Sequence, residues 1–361
     1  MPRTLRRPRG GRRGAKRGAG RWSRHLLVWS LPGLALFAAG LGVWLEHSWS
    51  PFASPDRQPR RIELARGESV AHLARRLEDE GLVRSARTFR WLVRLEGDPR
   101  SWKAGGYLLE ATQGARGILA QLDEGKVVPR RLTVPEGTDL PGLELLVAKE
   151  GGGHGAGFGD LARQPGRFKD GRPWLAGLPG DATLEGYLFP DTYDVPEGTG
   201  AAERLLARML DRFGTVAWPL VREGAHGLTP RELLTLASLV EREAVRADER
   251  PLIAGVFLGR LASGMRLGSD PTVEYVLGWR QTAERPLTLR DIAVESPYNT
   301  YRVKGLPPGP IANPGLASIR AVLDPRRTDL RFFVARGDGS HVFSRTHAEH
   351  RAAVRAVRQR P

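Results

Sequence analysis

Leu233-Leu234-Thr235-Leu236-Ala237-Ser238-Leu239-Val240-Glu241-Arg242-Glu243-Ala244 is an apolar run that ends on two glutamates. Thr229-Pro230-Arg231-Glu232 precedes it, a capping box with proline at the first helical position, so the run opens as a helix. Apolar side chains fall on nearly every face, which predicts a helix buried inside a domain. A carboxylate at the end of such a run is poorly solvated, and poor solvation raises its pKa. It then keeps a proton near neutral pH, as a general acid must. Glu241 and Glu243 stand two residues apart, about 200° around the helix axis. They cannot line one cleft together, and hydrophobicity alone leaves open which of them faces it.

Three segments downstream are dense in polar residues, glycine and proline. They are Ser269-Asp270-Pro271-Thr272-Val273, Ser296-Pro297-Tyr298-Asn299-Thr300-Tyr301, and Gly305-Leu306-Pro307-Pro308-Gly309-Pro310-Ile311-Ala312-Asn313-Pro314-Gly315. The Asp-Pro step reads as a tight turn, and Asn313 stands between prolines in a rigid one. Upstream, Leu184-Glu185-Gly186-Tyr187-Leu188-Phe189-Pro190-Asp191-Thr192-Tyr193 reads as an aromatic strand closing in a turn. Taken in order, these segments resemble the endolytic murein transglycosylases of the MltG/YceG-like family, which cut glycan strands of the bacterial cell wall. The resemblance runs from about residue 60 to about residue 350.

The resemblance places the catalytic acid on Glu241. It implies substrate-binding roles for Glu185, Tyr187, Ser269, Asp270, Thr272, Tyr298, Asn299, Tyr301 and Asn313. Aromatic rings among them can pack on pyranose faces. Glycoside hydrolysis normally needs two carboxylates. A lytic transglycosylase needs one, because the muramyl C6 hydroxyl is its own nucleophile and closes a 1,6-anhydro ring. A muramidase is the hydrolytic alternative, with Glu295 as its second carboxylate. A non-catalytic wall-binding scaffold is another. No cofactor is implied. A pyridoxal-phosphate lyase would need a lysine for a Schiff base. Past the tail only Lys103, Lys126, Lys149, Lys169 and Lys304 are present, and no phosphate-cradling loop accompanies Lys304.

The net charge of +16 is concentrated at one end. Residues 1–25 form a basic tail with ten Arg or Lys and no acidic residue, leaving +6 for everything beyond it. Leu26 to Leu45 then run without a charge, and twenty helical residues span roughly the 30 Å of a bilayer core. Trp22, Trp29, Trp44 and Trp49 lie near its ends, as interfacial aromatics do. We therefore expect a single transmembrane helix over residues 26–46, with the tail in the cytoplasm and the rest outside it. A cleaved signal peptide is the rival, although the apolar run outlasts the roughly 7–15 residues of a signal core. The tail is thus assigned to membrane topology and no nucleic-acid partner is expected.

Residues 47–60 are proline-rich and read as an extended linker. Residues 61–130 follow a β-α-α-β order. Ile62 and Leu64 alternate with charge, Val70, Leu73, Ala74 and Leu77 share a helix face, and Tyr107-Leu108-Leu109 returns as a strand. This resembles a LysM-type glycan-binding module. The resemblance makes residues 131–361 the catalytic domain, and the fold class expected is α+β. The loose glycine pattern in Gly151–Gly159 lacks a preceding strand and reads as a loop. Leu330–Ser344 is a hairpin turning at Asp338-Gly339. His341, His347 and His350 lack a metal-site spacing, and no cysteine is present, so no metal is expected. Glycan strands are the expected partner, and peptidoglycan synthases a further one implied by the resemblance.

Overall fold

The computed structural model describes residues 22–50, 58–151, 155–195, 200–282 and 284–359, with side chains described from Gly33 onward. The basic tail and residues 51–57 of the expected linker lie outside them, apart from the first residues of a helix. The chain folds as two compact units, Met1–Val128 and Pro129–Pro361.

The first unit opens with helix α1 (Trp22–Trp49), then β1 (Arg60–Leu64), α2 (Val70–Asp79), α3 (Ala86–Glu96), β2 (Gly105–Leu109) and α4 (Gly114–Asp123). Strands β1 and β2 pair antiparallel with Ile62 opposite Tyr107. Ser69 caps α2 by accepting from the His72 N–H at 3.2 Å. Leu73, Ala74, Leu77, Phe89, Leu92, Ile118 and Leu122 fill the core between the sheet and three helices. Among the described residues no helix is long and apolar enough to cross a membrane. The start of the uncharged run falls in the part of α1 whose side chains are not described.

Residues 47–49 of the expected extended linker belong to the end of helix α1 instead. Helix α1 continues through Trp49, whose side chain is 7% exposed. Its indole N–H donates to the Thr88 carbonyl at 2.9 Å, and the Arg116 guanidinium lies 5.2 Å over the ring. Glu46 pairs with Arg116 at 2.7 Å. Trp49 is therefore a core residue of this unit rather than an interfacial aromatic. A tryptophan with both an apolar pocket and a carbonyl for its N–H is more stable there than at a surface.

The second unit is mainly helical. Its elements are β3 (Arg130–Thr133), α5 (Leu140–Glu150), α6 (Phe158–Ala162), β4 (Thr192–Val195), α7 (Ala201–Val216), α8 (Trp218–Val221), α9 (Pro230–Glu243), α10 (Arg250–Ala262), α11 (Asp270–Leu277), α12 (Leu289–Ile292), α13 (Leu316–Leu323), β5 (Phe332–Ala335), β6 (His341–Ser344) and α14 (His347–Arg358). β3 pairs antiparallel with β4 across a long connection, with Leu132 opposite Tyr193. β5 and β6 form the expected hairpin, and His347 and His350 lie on the terminal helix.

Helix α9 is the axle of this unit. Thr229 accepts from the Glu232 N–H, and Glu232 returns the bond to the Thr229 N–H at 2.8 Å, closing the capping box. Every residue from Leu233 to Val240 is buried. Helices α10, α11 and α13 all pack on it, so its last turn is delivered to the place where the later loops meet.

Candidate active site

The last turn of α9 carries Glu241, Arg242 and Glu243, and each reaches a different element. Glu241 Oε1 accepts from Arg250 Nη2 at 3.1 Å, at the start of α10. Its Oε2 accepts the backbone N–H of Gly315 at 3.0 Å, just before α13. Arg242 pairs with Glu274 of α11 at 2.9 Å and stands 3.7 Å from Asp139, the residue that caps α5. Glu243 accepts from Ser269 Oγ at 2.5 Å. The 200° separation of the two glutamates is thus realised: one faces Arg250 and Gly315, the other faces the start of α11.

Their surroundings differ. Burial pushes the Glu243 carboxyl up to about 7, against the lowering effect of the Ser269 hydroxyl. The buried, proton-holding carboxylate expected at the end of the run is therefore Glu243. Glu241 is 5% exposed at its side chain, with a guanidinium on one oxygen and a backbone amide on the other. Arg250 is fixed in turn by Ser318 Oγ, 3.1 Å from its Nε.

A further carboxylate stands beside Glu241. The turn Pro135–Thr138 is tied to the last proline-rich loop by the Gly137 N–H to the Asn313 carbonyl at 2.9 Å and the Asn313 N–H to the Thr138 carbonyl at 3.1 Å. This brings Glu136 onto Gly315. A methyl group there would lie 2.0 Å from the Glu136 carboxyl carbon, so only glycine leaves room for it. Burial and the charge of Glu241 push the Glu136 carboxyl above its ordinary value, while Arg250 pulls it down.

Asn313 is the knot of the loops. Its Oδ1 accepts from the N–H groups of Gly186 and Leu188 at 2.9 and 3.0 Å. Its Nδ2 donates to Glu185 Oε1 at 3.0 Å and to the Thr138 carbonyl at 2.9 Å. Glu185 Oε2 takes the N–H of Leu140 at 2.7 Å, and burial raises this carboxyl to about 8. The aromatic segment and the last loop are thereby locked on each other.

Residues 62–356 match the sequence model of the YceG-like family. The chain belongs to the YceG-like family. A Bacillus subtilis relative named endolytic murein transglycosylase is 30% identical over 335 residues, which are 88% of this chain and 90% of the relative. A Streptococcus pneumoniae protein of the same name is 29% identical, covering 84% of this chain and 59% of its own longer length. A crystal structure of a YceG-like protein from Listeria monocytogenes superposes with a TM-score of 0.58 at 30% identity, covering 82% of this chain and 98% of that one.

On this YceG-like fold the residues singled out in the sequence separate into two groups. Glu185, Tyr187, Ser269, Thr272, Asn299 and Asn313 are buried. Their polar atoms are taken by internal partners. Thr272 Oγ1 bonds the Ser269 carbonyl and Thr300 Oγ1, and Asn299 Nδ2 donates to the carbonyls of Ile292 and Val294. Through these bonds the side chains hold the loops in shape. Asp270, Tyr298 and Tyr301 are half-buried. Tyr301 donates to Asp270 Oδ1 at 2.6 Å, and Tyr298 packs on Tyr275 with ring centroids 5.1 Å apart. The Asp270-Pro271 step, read as a tight turn, is the first turn of α11, with Ser269 at its cap.

Sequence reasoning missed Arg250, Gly315 and Glu136 as companions of Glu241. Pro135-Glu136-Gly137 is visible as a turn, but nothing local links it to a helix a hundred residues on. Glu295, proposed as a second carboxylate, is solvent-exposed and lies 3.4 Å from Arg302. His341 bonds Glu249 at 2.7 Å, and His347 and His350 pack against Phe332.

Proposed function

We propose that this chain is an endolytic murein transglycosylase, acting on the bond between N-acetylmuramic acid and N-acetylglucosamine within glycan strands. The observation that carries the site assignment is Glu241. It ends a rigid buried helix, with one oxygen on Arg250 and the other on the Gly315 amide. In this reading Glu241 exchanges Arg250 for a proton as substrate enters, and gives that proton to the glycosidic oxygen. The same carboxylate then takes the proton of the muramyl C6 hydroxyl, which attacks C1 and closes the 1,6-anhydro ring. The glycosidic C–O bond breaks, the anhydro C–O bond forms, and no water is consumed. One carboxylate serves as acid and then as base.

Around this core the reading has the enzyme anchored in the cytoplasmic membrane by the uncharged run Leu26–Leu45, tail inside and both folded units outside. The β-α-α-β unit then serves as a LysM-like glycan-binding module. Peptidoglycan synthases, which make the strands to be cut, are the proposed partners.

Mass spectrometry of fragments released from purified peptidoglycan tests the proposal, comparing the full chain in detergent with its Glu241→Gln variant. The expected products end in 1,6-anhydro-muramic acid and fall by at least about a hundredfold in the variant. Reducing ends would make the protein a muramidase. Binding without cleavage by a folded sample would make it a scaffold.

A further inference from the structure

The first unit is built onto the end of the uncharged run Leu26–Leu45. Leu45 packs against the core of the unit, and Trp49, one turn later, belongs to that core. Glu46 pairs with Arg116 of α4 at 2.7 Å, and the same guanidinium pairs with Glu96, the last residue of α3, at 3.1 Å. Trp49 bonds the Thr88 carbonyl, in the first turn of α3. Passing along α1 from Glu46 to Trp49, the connections to α3 therefore move from its last residue back to its first turn. Helix α3 is folded back along α1, and its last turn returns towards the end of the uncharged run.

The outer face of α3 has an unusual make-up. Arg87, Arg90, Trp91, Arg94 and Leu95 are all exposed. At 3.6 residues per turn they fall within one arc of about 140°. Trp91 is 52% exposed and Leu95 63%, and the Arg94 guanidinium lies 5.9 Å from the centre of the Trp91 ring. Phe89, Leu92 and Val93 fill the core from the other side of the helix, so these two large apolar side chains are left over from it. The one acid of α3, Glu96, is on that other side and is engaged by Arg116. Just beyond the helix, the charges of Asp98 and Arg100 offset each other. The acidic end of α2, Glu78 to Glu80, precedes the start of α3, at the far end from its last turn. Three cations thus surround an exposed tryptophan and leucine, with no acid among them.

We infer that this face of α3 docks on the surface of an anionic bilayer. Arg87, Arg90 and Arg94 lie among the lipid headgroups, and Trp91 and Leu95 reach the boundary with the acyl chains. The inference rests on the reading of Leu26–Leu45 as a membrane anchor. A tryptophan suits that boundary because its ring is apolar and its N–H needs a polar partner. Apolar burial and attraction to anionic lipid add to each other on such a helix. The attraction fades over a Debye length of about 8 Å at physiological ionic strength, so it acts only on a face held close to the surface. The anchor supplies that closeness. Docking in turn restrains the rotation of the unit about α1, which the anchor alone leaves free.

The chain contains no cysteine, so one introduced cysteine gives a unique site for a polar fluorophore. Full chains labelled at Leu95→Cys, at Gly42→Cys within the uncharged run, and at Asp79→Cys at the end of α2 are reconstituted separately. The vesicles are phosphatidylcholine with about a third anionic phosphatidylglycerol and a lipid carrying a shallow nitroxide quencher. The Leu95→Cys and Gly42→Cys labels should be quenched, and the Asp79→Cys label about threefold less. Combining Leu95→Cys with Arg87→Glu, Arg90→Glu and Arg94→Glu should cut its quenching about threefold, and the same reversal should leave the Gly42→Cys label unchanged. Vesicles of phosphatidylcholine alone make the same test without the charge reversal, and thermal melting confirms that each variant is folded. Quenching of the Gly42→Cys label without that of Leu95→Cys overturns the docking and leaves the anchor standing. Quenching of neither removes the anchor, and the docking with it. Quenching at Leu95→Cys that survives charge reversal, or is equal in neutral vesicles, also overturns the inference.

Discussion

The backbone N–H of Gly315 donates to Glu241 Oε2 at 3.0 Å, across 74 residues of sequence. This bond joins the end of the buried helix α9 to the last proline-rich loop. A glycine stands at this position for a separate reason. Its φ of −77° and ψ of 170° suit any residue, so the requirement is space for the Glu136 carboxylate and not backbone freedom.

Gly315→Ala should therefore fold. Its methyl group meets the end of a flexible side chain, which can swing away at little cost to stability. A shift of this loop that moves the Gly315 amide off Glu241 should lower glycan cleavage about ten- to a hundredfold, with the melting temperature nearly unchanged. Parallel melting and product-release assays check both halves.

Ser238 holds the same loop from below. Its hydroxyl, wholly buried, accepts the Ile311 N–H at 3.0 Å and donates to the Thr235 carbonyl at 2.7 Å. Ser238→Ala leaves the Ile311 N–H without a partner inside the protein. Denaturant unfolding should show a loss of about 1–3 kcal/mol. Activity should fall as well, because the loop that supplies Gly315 loses its tether.

Stability should decline as the medium becomes alkaline. Burial holds Glu185 near 8 and Glu243 near 7, both above the ordinary carboxyl value of 4.5. The folded state then binds more protons than the unfolded chain between about pH 4.5 and 8. The stabilisation is complete below 4.5 and is lost as pH rises through 7 and 8, with a limiting slope of about 1.4 kcal/mol per pH unit for each group. Melting curves from pH 4.5 to 8.5 test this. Glu243→Gln should flatten the slope up to about pH 7, and Glu185→Gln should flatten it up to about pH 8.

Trp49 ties α1 to the first folded unit. Trp49→Ala removes a buried ring, a hydrogen bond to Thr88 and the platform under Arg116. A cost of about 3–5 kcal/mol is expected, confined to this unit. Hydrogen exchange should show lost protection in α3 and α4 and unchanged protection in α9.

Much of the local structure was legible because its causes are local. The Thr229–Glu232 capping box and the apolar run after it determine α9, and with it the separation of Glu241 from Glu243. The alternation of Ile62 and Leu64, the single apolar face of Val70 to Leu77 and the Asp338-Gly339 turn likewise announce β1, α2 and the final hairpin. The residues of the YceG-like family resemblance were also readable in order. Tertiary structure decided what those residues touch. It gave Glu241 a guanidinium from α10, an amide from Gly315 and an anion from Glu136. It made Glu243 the desolvated carboxylate, turned Asn313 and Glu185 inward as a lock between loops, and drew Trp49 into a core. Periodicity and capping report forces between residues a few positions apart. Burial and hydrogen bonds between distant loops depend on where the whole chain closes.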